Sequence, residues 1–138
     1  MIELYKKDDY AFLFMRELAV RPTSYINVQQ FASTHQVSLG VIKQSVIALK
    51  QCGLIVSKEG SRGGYRLAKP AEEITFYDII TGLRGPVRLN HCTGQSYHCQ
   101  EKPEQCEMHH RWDDINDQFS ALLHRTRLSD LVTTEGSA

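Results

Sequence analysis

Three cysteines in the second half of the chain have the residue type and spacing of a metal site. Cys92, Cys99 and Cys106 are separated by six residues each, and His109 follows the last cysteine with two residues between them. Thiolate and imidazole suit iron–sulfur clusters, zinc and copper(I). The segment from 88 to 106 is polar and has no apolar period, so we expect a bound centre rather than burial to order it.

The spacing favours one kind of centre but leaves alternatives open. Structural zinc usually recruits short Cys-x2-Cys pairs, which this loop lacks. An iron–sulfur cluster (2Fe–2S or 4Fe–4S) is therefore favoured over another metal and over metal-free thiol redox sensing. Cys52 is expected to be a small buried hydrophobe. Solvated or outer-shell roles are expected for the other histidines in or beside the loop, which are His91, His98 and His110.

The composition is that of one globular domain. The chain has 138 residues, of which 41% are hydrophobic and 23% charged, both ordinary values. We recognise neither a targeting signal nor a membrane span, so the four cysteines are expected to be reduced thiols in the cytoplasm, with no membrane partner. No nucleophile–base pair or paired carboxylates stand in a catalytic context, so an enzyme is not expected.

A net charge of zero hides an uneven distribution. Residues 36–70 hold six basic side chains against one acidic one, a balance of +5, whereas residues 101–138 hold eight acidic against four basic, a balance of −4. A basic segment in a neutral chain is typical of a module that faces phosphate, although a solvated lysine face gives the same count.

The periodicity predicts a mainly α protein with a small β-hairpin. The expected elements are a helix from Tyr10 to Val20, a short helix over Val28–Ser33, a helix between Ser38 and Gly53, a hairpin over 54–67 and a helix capped by Thr75. The third helix is expected to bury a stripe at helical spacing, which is Leu39, Ile42, Val46 and Leu49, and to end at Gly53 in a left-handed conformation. Helix, turn, helix and hairpin in this order indicate a winged helix-turn-helix.

Such a fold reads DNA with the start of its second helix and with its wing. Ser38 is expected to cap the recognition helix, so the residues that follow it would enter the major groove. Gly60, Gly63 and Gly64 would let the backbone of the wing approach the duplex, and basic residues in this turn would contact phosphate or the minor groove. The expected DNA-binding residues are Ser38, Gly40, Val41, Lys43, Gln44, Lys58 and Arg62.

An apolar seam follows the cysteines, and it predicts a helix that begins where the cysteine segment ends and holds Cys106 and His109 at its start. Met108, Trp112, Ile115, Phe119 and Leu122 step by four, three, four and three, the pattern of a coiled-coil contact. Two heptads are too short to stand alone, so the seam must pack on its own domain or on a second copy, and we expect a homodimer. The predicted organisation is a DNA-binding domain (1–84), a cluster-binding loop (85–106) and a dimerisation helix with a tail (107–138).

These motifs together resemble one family. The chain is similar to the winged-helix regulators typified by the iron–sulfur cluster regulator IscR and the nitric-oxide-sensitive repressor NsrR. The resemblance covers residues 8–132 and rests on Asp9-Tyr10-Ala11, on Val37–Gln44, on the wing sequence Gly60–Ala68 and on the spaced cysteines with His109 and Trp112. It implies a homodimer on double-stranded operator DNA, with the last long helix crossing to the partner and a cluster that changes DNA affinity.

The resemblance leaves the fourth cluster ligand open. His109 stands where the IscR type has a histidine, and Asp9 where the NsrR type places an acidic ligand from the other subunit. This chain departs from the family pattern at two places. Its cysteines are separated by six residues, where the family commonly has five. Its wing has Glu59 where the IscR type has an arginine, so a different operator preference is expected. The alternatives are a metal-free thiol-switched regulator and a metal-binding adaptor that contacts protein.

Overall fold

The computed structural model describes residues 1–93, 99 and 102–133. Its elements are α1 (Lys6–Val20), α2 (Val28–His35), α3 (Leu39–Gln51), β1 (Ile55–Lys58), β2 (Gly64–Leu67), α4 (Phe76–Arg84), α5 (Glu107–Arg125) and α6 (Asp130–Thr133), with 3-10 turns at Ala71–Glu73, His91–Thr93 and Pro103–Gln105. The mainly helical fold with a hairpin is confirmed. No helix of the described ranges is long and apolar enough to cross a membrane.

Helices α2 and α3 form the helix-turn-helix. The turn between them depends on Gln36, whose φ of 54° places it in the left-handed region. Helix α2 therefore ends at His35, later than the end at Ser33 that the sequence predicted. Asn27 caps α2, since its Oδ1 accepts the N–H groups of Gln29 and Gln30. Ser38 does occupy the N-cap position of α3, but its side chain makes no capping hydrogen bond, so that part of the prediction is wrong.

The stripe predicted on α3 faces the core. Ile42, Val46 and Leu49 are buried and join Phe14 and Leu18 of α1 in one apolar cluster. The apolar spacing predicted this packing because residues three and four apart share one helix face. The hairpin follows directly, with β1 antiparallel to β2 and Ile55 opposite Leu67.

The chain beyond α5 returns to this core, which the sequence did not predict. Leu128 is fully buried, and its N–H donates to the carbonyl of Ile74 at 2.8 Å. The N–H of Phe76, the first residue of α4, donates to the carbonyl of Thr126 at 2.8 Å. The segment after α5 therefore packs on the core that α1 and α3 form, and the predicted division of the chain into three parts stays a prediction.

A buried ion pair joins the start of α1 to the end of α4. Asp8 Oδ2 accepts from Arg84 Nε at 2.9 Å and Nη2 at 2.7 Å, and it also accepts the N–H of Tyr5 at 2.7 Å. The Asp8 and Arg84 side chains are 4% and 20% exposed. Because Asp8 satisfies the Tyr5 N–H, α1 begins at Lys6 rather than near Tyr10, where the sequence predicted it.

Replacing Asp8 with alanine should lower the free energy of unfolding by about 3 kcal/mol, because it leaves the Arg84 charge partly buried without its partner. Urea denaturation would measure the loss. The matched control is Asp9→Ala, one position on, where the carboxylate is exposed and little change is expected. Equal losses in the two variants would contradict a structural role for the pair.

Candidate metal centre and DNA-reading surface

Two of the proposed ligands lie at the start of α5. Cys106 is the N-cap residue of this helix, and His109 lies in its first turn. Cys92 lies in the 3-10 turn His91–Thr93 and is partly exposed, whereas Cys99 is exposed. A rigid helix end therefore holds two donors, as the sequence predicted, and the segment before it carries the other two.

His109 is oriented by its own helix. Its Nε2 lies 3.2 Å from Oδ2 of Asp113, four residues on, and the two side chains are 23% and 47% exposed. The ring also makes an edge contact with His110, at 5.9 Å between centroids.

Asn116 fixes the chain that leads to Cys92. Its Oδ1 accepts the N–H of Leu89 at 3.0 Å, and its Nδ2 donates to the carbonyl of Val87 at 3.2 Å. The Asn116 side chain thus gives hydrogen-bond partners to one N–H and one carbonyl of a segment that has no regular secondary structure. Because these backbone groups are paired, burying them costs less free energy. The same helix holds His109 and Cys106 and anchors the segment before Cys92.

The described residues do not gather the proposed ligands into one site. No three His, Cys, Asp or Glu side chains among them lie close enough together to hold a metal ion. Asp9 is exposed on α1, and its neighbour Asp8 forms an ion pair with Arg84. His110 Nε2 lies 3.3 Å from the carbonyl of Glu104. His98 lies outside the described residues.

The donor set nevertheless fits an iron–sulfur cluster by its chemistry. Cys92, Cys99 and Cys106 are free thiols, and His109 has one ring nitrogen beyond the one that meets Asp113. Three thiolates and one imidazole are ligands that iron–sulfur centres accept. The residues that would hold such a cluster are therefore present with uncommitted donor atoms.

Cys52 differs from its prediction. It is exposed rather than buried, although its Sγ donates to the carbonyl of Leu49 at 3.2 Å. A Cβ on Gly82 would lie 2.6 Å from this sulfur, so the thiol fits against α4 only because that position is glycine. Partial burial raises the pKa of the Cys52 thiol, which makes it less reactive than a free thiolate.

The start of α3 presents the surface predicted to read DNA. Gly40, Lys43 and Gln44 are exposed, and Val41 is half-buried. Ile47, one turn after Lys43, is 53% exposed and was not among the predicted residues. An exposed lysine and an exposed amide at the start of the second helix of a helix-turn-helix are placed as base-reading side chains require.

The ring of Tyr25 contacts two cations of the wing, which the sequence did not predict. The ring of Tyr25 lies 5.4 Å from Lys58 Nζ and 4.9 Å from the guanidinium of Arg66, so cation–π contacts hold both cations on one side of the hairpin. Arg62 is exposed in the turn. Lys50 Nζ also donates to Ser57 Oγ at 2.6 Å.

Two glycines of the wing are required by its own packing. A Cβ on Gly63 would lie 2.1 Å from the carbonyl oxygen of Lys58, and one on Gly64 would lie 2.4 Å from that of Ile26. Gly64 also has a φ of 147°, which disfavours other residues. These glycines were predicted to allow close approach to DNA. In the structure, Gly63 fits against the Lys58 carbonyl within the hairpin itself, and Gly64 fits against Ile26 in the chain before α2.

A helix-turn-helix followed by a wing, with exposed cations on both, defines a winged-helix DNA-binding protein. Residues 4–134 match the Rrf2 family model, described as an iron-dependent transcriptional regulator. The chain belongs to the Rrf2 family, and it is a transcriptional regulator rather than an enzyme. The predicted resemblance is confirmed.

Named relatives and solved structures agree with this. The HTH-type transcriptional regulator IscR of Cereibacter sphaeroides is 28% identical over 138 residues, 97% of this chain and 89% of the relative. CymR (YrzC), the global cysteine regulator of B. subtilis, is 30% identical over 97% of this chain and 98% of its own, with a TM-score of 0.76. The IscR of T. potens, 21% identical over 99% of this chain and 92% of its own, shares the fold with a TM-score of 0.71.

Proposed function

We propose that this regulator is a homodimer whose affinity for operator DNA is controlled by an iron–sulfur cluster. Cys92, Cys99, Cys106 and His109 are its ligands in this proposal. The observation that carries it is that Cys106 caps α5 and His109 lies in its first turn, in the helix that also bears the exposed apolar seam. A change at the ligands would therefore act on the element proposed to join the subunits. Acting on the chromosome, such a regulator would work in the cytoplasm.

The exposed half of the seam supports the homodimer. Met108, Ile115 and Leu122 follow one another at seven-residue steps and are 62%, 42% and 51% exposed. An open groove runs along α5 beside Ile115, Phe119 and Leu122. Large apolar side chains repeated on one exposed helix face are typical of a protein contact, and a second copy offers the same stripe.

The chain also offers a path from the loop to the recognition helix. When bound, a cluster supplies a redox-active centre, and the residues around it carry the effect. Asn116 ties the segment before Cys92 to α5, α5 packs against α4, and α4 packs against α3. Ordering of the loop would thus shift the helix that carries Lys43.

Anaerobic preparation tests the proposal directly. We expect bound iron, acid-labile sulfide and visible absorption, together with an operator affinity that differs between the cluster-containing and cluster-free protein at fixed salt. A protein that binds the operator equally in both states would contradict control by the cluster. A protein that holds the cluster but binds no DNA would favour the adaptor alternative.

A metal-free thiol switch is the second candidate, because Cys52 is an exposed thiol. The thiol switch is less favoured, because partial burial raises the pKa of the Cys52 thiol and a protonated thiol is a poor nucleophile. Operator binding measured with and without an oxidant in the iron-free protein separates the two. A response that Cys52→Ser abolishes would support the switch.

Replacing Arg62 with alanine should weaken operator binding by on the order of 1–3 kcal/mol if this wing residue reads bases. If it meets only phosphate, the loss should be similar on all sequences, and the salt dependence should fall by about one unit. Titrations on operator and unrelated duplexes at several salt concentrations measure both quantities.

Gln44→Ala is the companion variant on the recognition helix, because an amide side chain can pair with adenine edges. Its loss should be confined to the operator. Unchanged binding in both Arg62→Ala and Gln44→Ala would show that this surface does not face DNA.

A further inference from the structure

One face of the hairpin carries two cations beside an aromatic ring. We propose that Arg66 contacts the DNA backbone as a further binding residue, and that the ring of Tyr25 positions Arg66 and Lys58 for this contact. The inference rests on DNA binding by the winged helix and requires no cluster. It therefore goes beyond the proposed function, which concerns the control of that binding.

The pairing of the strands places these three side chains on one face. Ile26 and Tyr65 form an antiparallel bridge and exchange both of their backbone hydrogen bonds, at 2.8 and 2.9 Å. Their neighbours Tyr25 and Arg66 therefore lie opposite one another. The residue opposite Lys58 in the hairpin stands two positions before Arg66 on β2. Because side chains alternate between the two faces of a strand, all three lie on the same face.

The ring of Tyr25 lies against both cations. Its centroid is 4.9 Å from Cζ of Arg66 and 5.4 Å from Nζ of Lys58, within the range of a cation–π contact. Tyr25 is half-buried, whereas both basic side chains are exposed. Neither cation forms an ion pair with an acidic residue that the structure describes, so both positive charges can meet an anionic partner.

The place of this face in the fold indicates which partner that is. Its side chains belong to the hairpin that holds the wing turn and to the chain three residues before α2. In a helix-turn-helix the first helix crosses the DNA backbone, so the face stands between two elements that approach the duplex. Basic side chains that meet phosphate fix the position of a protein on DNA without reading its sequence. Phosphate is therefore the group assigned to Arg66 and Lys58.

A ring that restricts two flexible cations lowers the cost of binding. Lysine and arginine side chains have much rotamer freedom to lose, and immobilising such a side chain at an interface costs binding free energy. Because the Tyr25 ring already restricts both side chains in the free protein, less of this cost remains when DNA binds. We therefore expect loss of the ring to weaken DNA binding about three- to tenfold, although every positive charge is kept.

The test measures binding of the full-length protein to a fluorescent duplex of mixed sequence at several salt concentrations. Tyr25→Leu, which removes the ring, should show the loss given above, whereas Tyr25→Phe, the matched control that keeps a ring, should bind like the wild type. Arg66→Gln should also weaken binding, and it should lower the salt dependence by about one unit, because one phosphate contact is lost. Urea denaturation of each variant verifies that the fold is kept.

A double-mutant cycle separates positioning from damage to the wing. In a protein that carries both Lys58→Gln and Arg66→Gln, Tyr25→Leu should have little further effect, because the ring then has no cation to hold. An undiminished effect in that background would show that the ring supports the wing in another way, and the positioning role would be overturned. Unchanged affinity and salt dependence in Arg66→Gln would overturn the assigned contact.

This inference and the proposed function fail separately. A protein that shows the expected losses on the mixed duplex, but binds its operator equally with and without a cluster, contradicts the proposed function and leaves the roles of Tyr25 and Arg66 intact. A protein that binds no duplex in either state overturns both.

Discussion

Replacing any one of Cys92, Cys99 or Cys106 with alanine should abolish the visible chromophore of anaerobically prepared protein, together with its iron and acid-labile sulfide. In the proposed centre each thiolate would supply one bond to the cluster, and the sequence from 88 to 106 is polar, so burial is not expected to hold the site together without all of its ligands. Absorption spectra and iron and sulfide analysis of the three variants measure the effect.

Cys52→Ala is the control for this set. Cys52 lies at the end of α3 against Gly82 and is not one of the proposed ligands, so its removal should leave the chromophore intact. A colourless wild-type protein that is prepared under strict anaerobiosis and holds tightly bound zinc would contradict the iron–sulfur assignment.

The fold was predictable because its signals are local. The stripe of Ile42, Val46 and Leu49 repeats at helical spacing, and it is buried as predicted. Thr75 accepts the N–H of Asp78 at 3.1 Å, which confirms it as the cap of α4. Gly53 has the left-handed φ of 80° that was expected after α3. Each of these features depends on residues within a few positions of one another.

Features that depend on distant partners were missed. Asp8 and Arg84 are 76 residues apart in sequence, and nothing at either position marks the other as its partner. The same holds for Leu128, whose burial depends on how the chain turns after α5. Cys52 was predicted to be buried from residue type alone, whereas its exposure is decided by where α4 crosses the end of α3.

The candidate metal centre was predicted by residue type and spacing, but its supporting residues were not. Cys106 and His109 lie at the start of α5 as expected. One supporting contact had a sequence signal, because Asp113 stands four residues after His109, the spacing of helix neighbours. The Asn116 contact with Val87 and Leu89 had none, since it joins a helix to irregular chain.

The seam on α5 is partly buried and partly exposed in the structure. Phe119 is half-buried and packs beside Ile80, Val87 and Leu123 of its own subunit, so part of the seam serves the subunit's core. Ile115 remains largely exposed. A test of dimerisation should therefore change the exposed residues, because a charge at Phe119 would also destabilise the subunit.

Changing Ile115 to glutamate should convert the protein to a monomer that no longer binds its operator. In a dimer this position would bury a carboxylate without a partner, at a cost of several kcal/mol. In the isolated subunit, where Ile115 is 42% exposed, the fold should be kept and circular dichroism unchanged. Analytical ultracentrifugation gives the oligomeric state. Val20→Glu, at a similarly exposed position on α1 (44%), should stay dimeric. An Ile115→Glu protein that still sediments as a dimer would show that the subunits meet elsewhere.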